Sequence, residues 1–574
     1  MMSALLHPSP RHRPGRRWTS RVGWTLLLAP VFVLAALVWR YAVDVPYNDE
    51  WDLVPYLHEL AQGTLRIGRL FDTHNGHQWV LVRAAVLAWS TLVGFDLRVG
   101  MALTLLLVLA TACALGALIE HTSGRVSPAL GLASGLLVAS PVQAENWLMG
   151  VQFGVVAPFL CLVAGVLVAR AGWRPLARWA VVLSLALVAA FINSTGIVLV
   201  ALVPAILGCG RPAPWRSRLG WAGFAASLVA VVWAYWGGPR WEPHAATVVD
   251  RVMFALGLLG APLAKGTFDE ALWPSQAIGA GLFVLYAGLV VVSVRGVPAR
   301  SRERADLGAW LTLGGFPILV AGLVAVGRAG FGAEQILASR YTTFFVPLPV
   351  ALSHGWLIAH RRWTRDAVGD AGTRASIIGV VSGAVGVLAI GAAASGVREM
   401  ADTCRTRLSQ RAALTFAGAL PDLGPARSLY PLPDEIRPRR DLLIADRWMV
   451  LPTRTSAVLD ATSLVSAGGI DEIERLSDGR VRVRGVAVNA STREAAHAVL
   501  IAVDIDGVPT AVAFAERDRA PADARERGGP AYLSRAWWSA TLPASVSSGA
   551  RVTAYTIDGR TGALARVPGG REAP

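Results

Sequence analysis

Two short stretches near the start of the chain gather the residue types that do acid–base and cation chemistry. They are Tyr47-Asn48-Asp49-Glu50-Trp51-Asp52 and Asp72-Thr73-His74-Asn75-Gly76-His77. The first comes just after a hydrophobic segment and the second lies further along the same loop; ionisable groups set against a membrane are costly and usually functional. A carboxylate there can take a proton from a hydroxyl, and with an imidazole it can hold a divalent cation.

More polar residues recur between later apolar segments. Gln143-Ala144-Glu145-Asn146-Trp147 is followed by Gln152. Asn193-Ser194-Thr195-Gly196 separates two apolar runs. Arg240, Glu242, His244, Lys265, Asp269 and Glu270 precede one segment, and Glu334, Ser339, Arg340 and Tyr341 precede another.

The elements that must position these groups are membrane helices. The chain has 574 residues, of which 54% are hydrophobic and only 16% charged. Its mean hydropathy is +0.47. Soluble proteins carry about 25% charged residues. Apolar segments fall near 22–42, 99–119, 127–142, 153–169, 177–192, 196–209, 218–236, 276–294, 306–326, 342–359 and 375–396. The pattern predicts an all-α polytopic bundle of about eleven crossings.

Arginine sets the orientation. The net charge of +15 comes from arginine, since Lys265 is the only lysine, and it concentrates in short loops between apolar runs. That is the positive-inside signature and excludes a nucleic-acid footprint. It places the basic tail 1–21 in the cytoplasm, the long loop 43–98 outside, and the C-terminal region outside. Arg16-Arg17 resembles a twin-arginine signal, but the following apolar run is too long for a signal core and is read as a retained first helix. The segments 78–94 and 248–265 are expected to be interfacial or re-entrant rather than crossings. On this topology every polar residue above faces outward.

The membrane domain is expected over 22–396, a mixed linker over 397–467, and an extracytoplasmic β-sandwich over 468–574. Asp478-Gly479, Asp506-Gly507 and Asp558-Gly559 supply its hairpin turns, and Arg480-Val481-Arg482-Val483-Arg484 alternates at period two. The four cysteines, Cys113, Cys161, Cys209 and Cys404, suggest neither a disulfide framework nor a zinc site. No Gly-x-Gly-x-x-Gly follows a strand and no Walker loop is present, which excludes a Rossmann nucleotide-sugar enzyme and an ATP-driven pump.

The acidic pair after the first crossing, the His-containing segment later in that loop, Glu145 after the third crossing and Arg340-Tyr341 opening a late one together resemble the GT-C superfamily. These are polytopic glycosyltransferases that use lipid-phosphate sugars, such as protein O-mannosyltransferases and aminoarabinose transferases. The resemblance covers about 22–396, and His-Asn-Gly-His departs from the His-Pro-Pro of many members. It implies a glycosyltransferase in a bacterial inner membrane, with Asp49, then Glu50, as the base. His74, Asn75, His77, Glu145, Asn146, Gln152, Lys265, Arg340 and Tyr341 would contact substrate.

The partners implied are the bilayer, a polyprenyl-phosphate sugar and a glycan, lipid or protein acceptor, with no nucleic acid. A divalent metal, Mg or Mn, held by Asp49 and Glu145, is the one cofactor left open. Other readings of the same residues stand beside this one. Asp49 could cap a helix, Glu145 could cap the fourth crossing, Asn146 and Gln152 could join helices, and Arg340 could reach to headgroups. Two alternative functions also stand: a transporter or flippase of lipid-linked glycans, and a non-catalytic envelope assembly protein.

Overall fold

In a computed structural model the described residues are 14–210, 217–236, 246–268, 271–298, 301–366, 371–451, 453–459, 464–489, 494–518 and 536–574. The chain divides into two compact units. The first holds Met1–Ala42, Arg66–Ala88 and Leu97–Met400, and the second holds Val43–Leu65, Trp89–Asp96 and Ala401–Pro574.

In chain order the elements begin with α1 (Pro14–Tyr41), α2 (Val54–Ala61), β1 (Thr73–His74), β2 (His77–Gln78), α3 (Val80–Val93) and α4 (Leu97–Ser123). Next come α5 (Pro128–Val138), α6 (Ala144–Trp147), α7 (Phe153–Arg170), α8 (Pro175–Ile192), α9 (Gly196–Gly208) and α10 (Arg218–Trp236). Then follow α11 (Val248–Ala264), α12 (Trp273–Gly296), α13 (Arg302–Arg328), α14 (Ser339–Phe345), α15 (Pro347–Asp366), α16 (Ala371–Leu414) and α17 (Ile436–Ala445).

Among the described residues, eight helices are long and apolar enough to cross a bilayer: α1, α4, α7, α8, α10, α12, α13 and the continuous run α14–α15. This is fewer than the eleven expected. Two of the other apolar segments form helices that are too short. The 11 residues of α5 and the 13 of α9 rise only about 17 and 20 Å at 1.5 Å per residue, against about 30 Å of hydrocarbon. The remaining segment, 375–396, lies within α16. The drop in hydropathy at 397 does not end that helix, which runs on to Leu414.

Prolines inside α1, α7 and α13 (Pro30, Pro158 and Pro317) are tolerated because neighbouring helices satisfy the freed backbone groups. Small residues allow the closest packing. Where α11 crosses α12, a Cβ on Gly279 would lie 1.8 Å from the Leu256 carbonyl oxygen, and one on Gly260 would lie 1.9 Å from that of Ser275. Only glycine fits such an approach, and the Ser275 hydroxyl donates to the Gly257 carbonyl at 2.7 Å across the same crossing.

The second unit threads parts of the first loop into the segment after α16. His58 of α2 pairs with Asp446 at 2.7 Å. The Trp448 indole donates to the Leu57 carbonyl at 3.0 Å, and the Phe95 amide donates to the Trp448 carbonyl at 2.7 Å.

This unit ends in β3 (Ala467–Arg475), β4 (Val481–Val488), β5 (Ala498–Ile505), β6 (Val508–Arg517), β7 (Trp537–Leu542), β8 (Arg551–Ile557), β9 (Leu564–Arg566) and β10 (Arg571–Glu572). In place of two facing sheets they form one antiparallel sheet, ordered β10-β8-β5-β6-β7-β4-β3 with β9 on β8. The sheet curls at β6, which pairs with β5 along its length but with β7 only at Glu516 and Arg517. Ile470 of β3 and Val552 of β8 thereby share one core with Val483, Ile501 and Trp538. Asp478-Gly479 and Asp506-Gly507 are hairpin turns as expected, with Gly479, Asp506 and Gly507 all at positive φ.

Candidate functional site

Within the first unit, the site grows from the turn that connects α5 to α6. The Ser140 hydroxyl accepts from the Val142 amide and opens the turn. Gln143, fully buried, donates its amide to the Leu137 and Val138 carbonyls. Its carbonyl oxygen accepts from the Thr343 hydroxyl of α14. Asn146, also fully buried, donates to that same hydroxyl at 2.7 Å and to the Arg340 carbonyl at 3.1 Å. The Trp147 indole donates back to the Ser140 carbonyl at 2.8 Å. This buried network fixes the turn against the first residues of α14, because each amide left unpaired there would forfeit a full desolvation penalty.

On this scaffold two charged groups stand side by side. The Arg340 guanidinium donates to the Glu145 carboxylate at 3.3 Å, with side chains 38% and 18% exposed. Ser339 supports the carboxylate from the other side: its hydroxyl accepts from the Glu145 amide and donates to the second carboxylate oxygen. The guanidinium also lies 5.2 Å over the Tyr341 ring. A second pair flanks the same turn. Lys265 meets Glu399 of α16 at 2.9 Å. One turn earlier on α16, a Cβ on Gly396 would fall 2.2 Å from the backbone of Pro141 and Val142.

Glu145, Asn146, Arg340 and Tyr341 are thus brought together, with Lys265 beside their turn. Asn146 joins two elements, as the alternative structural reading has it. Gln143, Ser339 and Thr343 complete the network; the sequence places Gln143 and Ser339 among the polar residues without giving them a role and does not single out Thr343, because an uncharged side chain inside an apolar segment gives no signal until its partners are known. Gln152 turns back on its own loop and donates to the Met149 sulfur.

His74, Asn75 and His77 form a separate feature. They make a two-residue hairpin in which His74 pairs with His77 across Asn75-Gly76, and both turn residues have positive φ. His74 stacks on Trp79 at 4.2 Å, and His77 accepts the Ser194 amide at 3.4 Å through Nδ1. Asn193 accepts from the Thr195 amide and hydroxyl, so the sequon-like triplet is a local turn. Arg83 is buried and donates to the Leu70 and Asp72 carbonyls, which anchors the loop ahead of the hairpin. Arg240, Glu242, His244, Asp269 and Glu270 lie outside the described residues.

The first-loop carboxylates belong to the second unit. Glu50 is 1% exposed and its carboxylate caps the Tyr47 amide at 2.9 Å. That role ties it to local structure. Asp52 is held by Arg439 at 2.7 Å and by the Tyr430 hydroxyl. Burial, reinforced by Asp52, pushes the Tyr430 phenol up to about 12. Burial also opposes charge on Arg439, but Asp52 and Tyr430 outweigh it and raise the guanidinium above its ordinary value. Asp49 is half-buried and follows Asn48, whose φ of 46° is a left-handed conformation that asparagine adopts at a cost.

No family model matches the chain, and neither a curated protein nor a solved structure matches it. The fold therefore defines the class by itself: a multi-pass, mainly helical membrane protein with a C-terminal curled antiparallel sheet. Within its helical unit the charged pair Glu145–Arg340 is seated on a buried amide network.

Proposed function

We propose that this protein is a membrane glycosyltransferase that moves a sugar from a polyprenyl-phosphate donor to an acceptor hydroxyl at the extracytoplasmic face. The observation that carries the reading is the Glu145–Arg340 pair. A half-buried guanidinium beside apolar helices is suited to a lipid phosphate, which it can grip with two parallel hydrogen bonds. The Ser339 end of the α14–α15 span would face outward. The opposite end of the bundle, with Arg125, Arg302, Arg361 and Arg362, would face the cytoplasm in keeping with the positive-inside rule.

In the reaction, the acceptor oxygen attacks the anomeric carbon. The bond from that carbon to the phosphate oxygen breaks, and polyprenyl phosphate leaves. The Asp49 carboxylate takes the hydroxyl proton. Arg340 balances the charge that develops on the leaving phosphate. By the resemblance Asp49 is the first candidate for the base and Glu50, whose carboxylate accepts the Tyr47 amide, the second.

The test is donor turnover by purified protein in lipid, with radiolabelled polyprenyl-phosphate sugars and a crude envelope acceptor fraction. Wild type should transfer label, and Asp49→Asn should lose transfer while keeping its expression and elution profile. Full activity in Asp49→Asn would remove Asp49 as the base. Absence of transfer with every donor would favour a flippase of lipid-linked glycans or an assembly protein.

A further inference from the structure

The second unit holds a cavity of about 260 Å³ where the end of α16 meets one end of the curled sheet. One wall comes from Ser409 and Gln410 of α16 and from the turn Gly424–Leu429. The other comes from the last residues of β4 and β6 and the first residues of β5 and β7. All of these residues lie within Ala401–Pro574, so the cavity belongs to this unit alone. At about 30 Å³ per water it holds roughly nine waters, which is room for one small ring with its substituents.

The sheet leaves this space because small residues line it. Ala487, Ala496, Ala498, Ala515 and Ala536 contribute wall without filling it, and Trp538 joins that wall to the core of the sheet. The helical wall is pinned in place. The Gln410 amide donates to the Ser428 hydroxyl at 2.9 Å. Gly424, at a φ of 51°, sits so close to Phe514 that a Cβ there would fall 2.6 Å from the ring.

Three polar side chains in the wall are buried. Gln410 and Trp538 are each 2% exposed, and the Gln410 Oε1 and the Trp538 indole N–H have no hydrogen-bond partner among the described residues. Such groups carry a desolvation cost that a ligand or its waters can relieve. His497 accepts the Gly559 amide through Nδ1 at 2.9 Å. Burial pushes its pKa below the ordinary value, against the pull of Asp558, so the ring is neutral and its proton sits on Nε2. The wall thus offers one acceptor and two donors, all uncharged. Its ionic side chains are one of each sign, Glu516 and Arg517, both exposed. Trp537, partly exposed, adds a flat apolar face.

A ligand suited to this wall has a ring with an apolar face and uncharged groups that both donate and accept. Hydroxyl groups do both, and a sugar ring carries several of them. A peptide joining the sheet would need a free edge. The edges are β3 and β10, and neither lines the cavity.

We propose that this cavity binds one neutral sugar residue of a glycan. The C–H face of the ring lies against Trp537, and its hydroxyls meet Gln410, His497 and Trp538 directly or through water. The inference stands independently of the glycosyltransferase reading, since no residue is shared and binding is measured without a donor.

Saturation-transfer NMR on the full chain in nanodiscs, free of glycoside detergent, tests it. The probes are the methyl glycosides of glucose, galactose, mannose and arabinose, with neutral amino-acid amides as the control set. At least one glycoside should take up saturation, strongest on its ring C–H protons. Trp537→Ala should weaken its binding about tenfold, the scale of one aromatic contact. Ala496→Phe, which fills the cavity from a partly exposed position, should abolish it while leaving the melting temperature near that of wild type. If no glycoside is saturated, if the amides respond as strongly, or if the folded variants bind as wild type does, the inference is overturned. Should Trp537→Ala fail to fold, the loss expected from Ala496→Phe still decides the matter.

Discussion

Replacing each member of the Glu145–Arg340 pair separates a phosphate site from a structural strut. The two groups stand 3.3 Å apart and are 18% and 38% exposed. Coulomb attraction at that distance is about 5 kcal/mol at an effective dielectric near 20 and about 1 kcal/mol in bulk water. Desolvation and side-chain ordering cancel most of it, leaving about 1–2 kcal/mol net. Glu145→Gln should therefore lower the melting temperature by only about 2 °C in a chain this long. The network beneath, from Asn146 to Thr343 to Gln143, uses backbone and uncharged groups and should survive. Ligand binding then splits the variants by sign. With polyprenyl phosphate as the probe, Arg340→Gln removes the cation and should weaken binding about tenfold or more. Glu145→Gln releases the guanidinium from its partner and should leave binding unchanged or tighter. Binding to protein in nanodiscs and a melting scan on the same samples read both quantities. If both variants weaken binding alike and both lose 8 °C or more, the pair is a strut and the reasoning is refuted.

Two further outcomes follow from geometry elsewhere. Gly279→Leu should abolish monodisperse protein on size exclusion because its Cβ would collide with the Leu256 carbonyl, whereas Gly281→Leu on the same helix, with nothing within 4 Å, should elute as wild type; equal behaviour would remove the close α11–α12 crossing. Burial and Asp52 hold the Tyr430 proton in the folded state up to about 12, so its contribution is complete below pH 10 and is lost as pH rises from there through about 12. Alkaline melting of wild type against Tyr430→Phe should converge over that window, and parallel curves would contradict it.

What could be read from the sequence was whatever is encoded over a few neighbouring residues. Asp478-Gly479 and Asp506-Gly507 make their hairpins because a two-residue turn with positive φ is a local property. The same rule applied to Asn75-Gly76 would have shown that Asn75 is there to turn the chain. The substrate contact given to Asn75 is what the family resemblance implies, beside this role in the turn. The long spans were visible as uncharged runs, but α5 and α9 fall short of the bilayer, which windowed hydropathy cannot resolve when turn residues such as Pro141 and Asn193 are themselves buried.

Relations between distant parts were not visible. Arg340 and Glu145 are 195 positions apart, and each by itself reads equally well as a headgroup contact or a helix cap. Their pairing depends on Gln143, Asn146 and Thr343, whose polarity is satisfied only across the α6–α14 contact. Curling of the sheet likewise depends on β6 changing partners at Glu516, with β3 and β8 meeting in one core. The charge that sequence could count but not place is the +15. Read by loops, it gives an orientation. In the structure, part of it closes helix ends: Arg302 and Arg361 donate to the His121 and Ser123 carbonyls of α4, and Arg362 pairs with Glu303. Orientation alone would be served by arginines anywhere on that face, so the carbonyls and the carboxylate that these three meet are what a topological signal does not show.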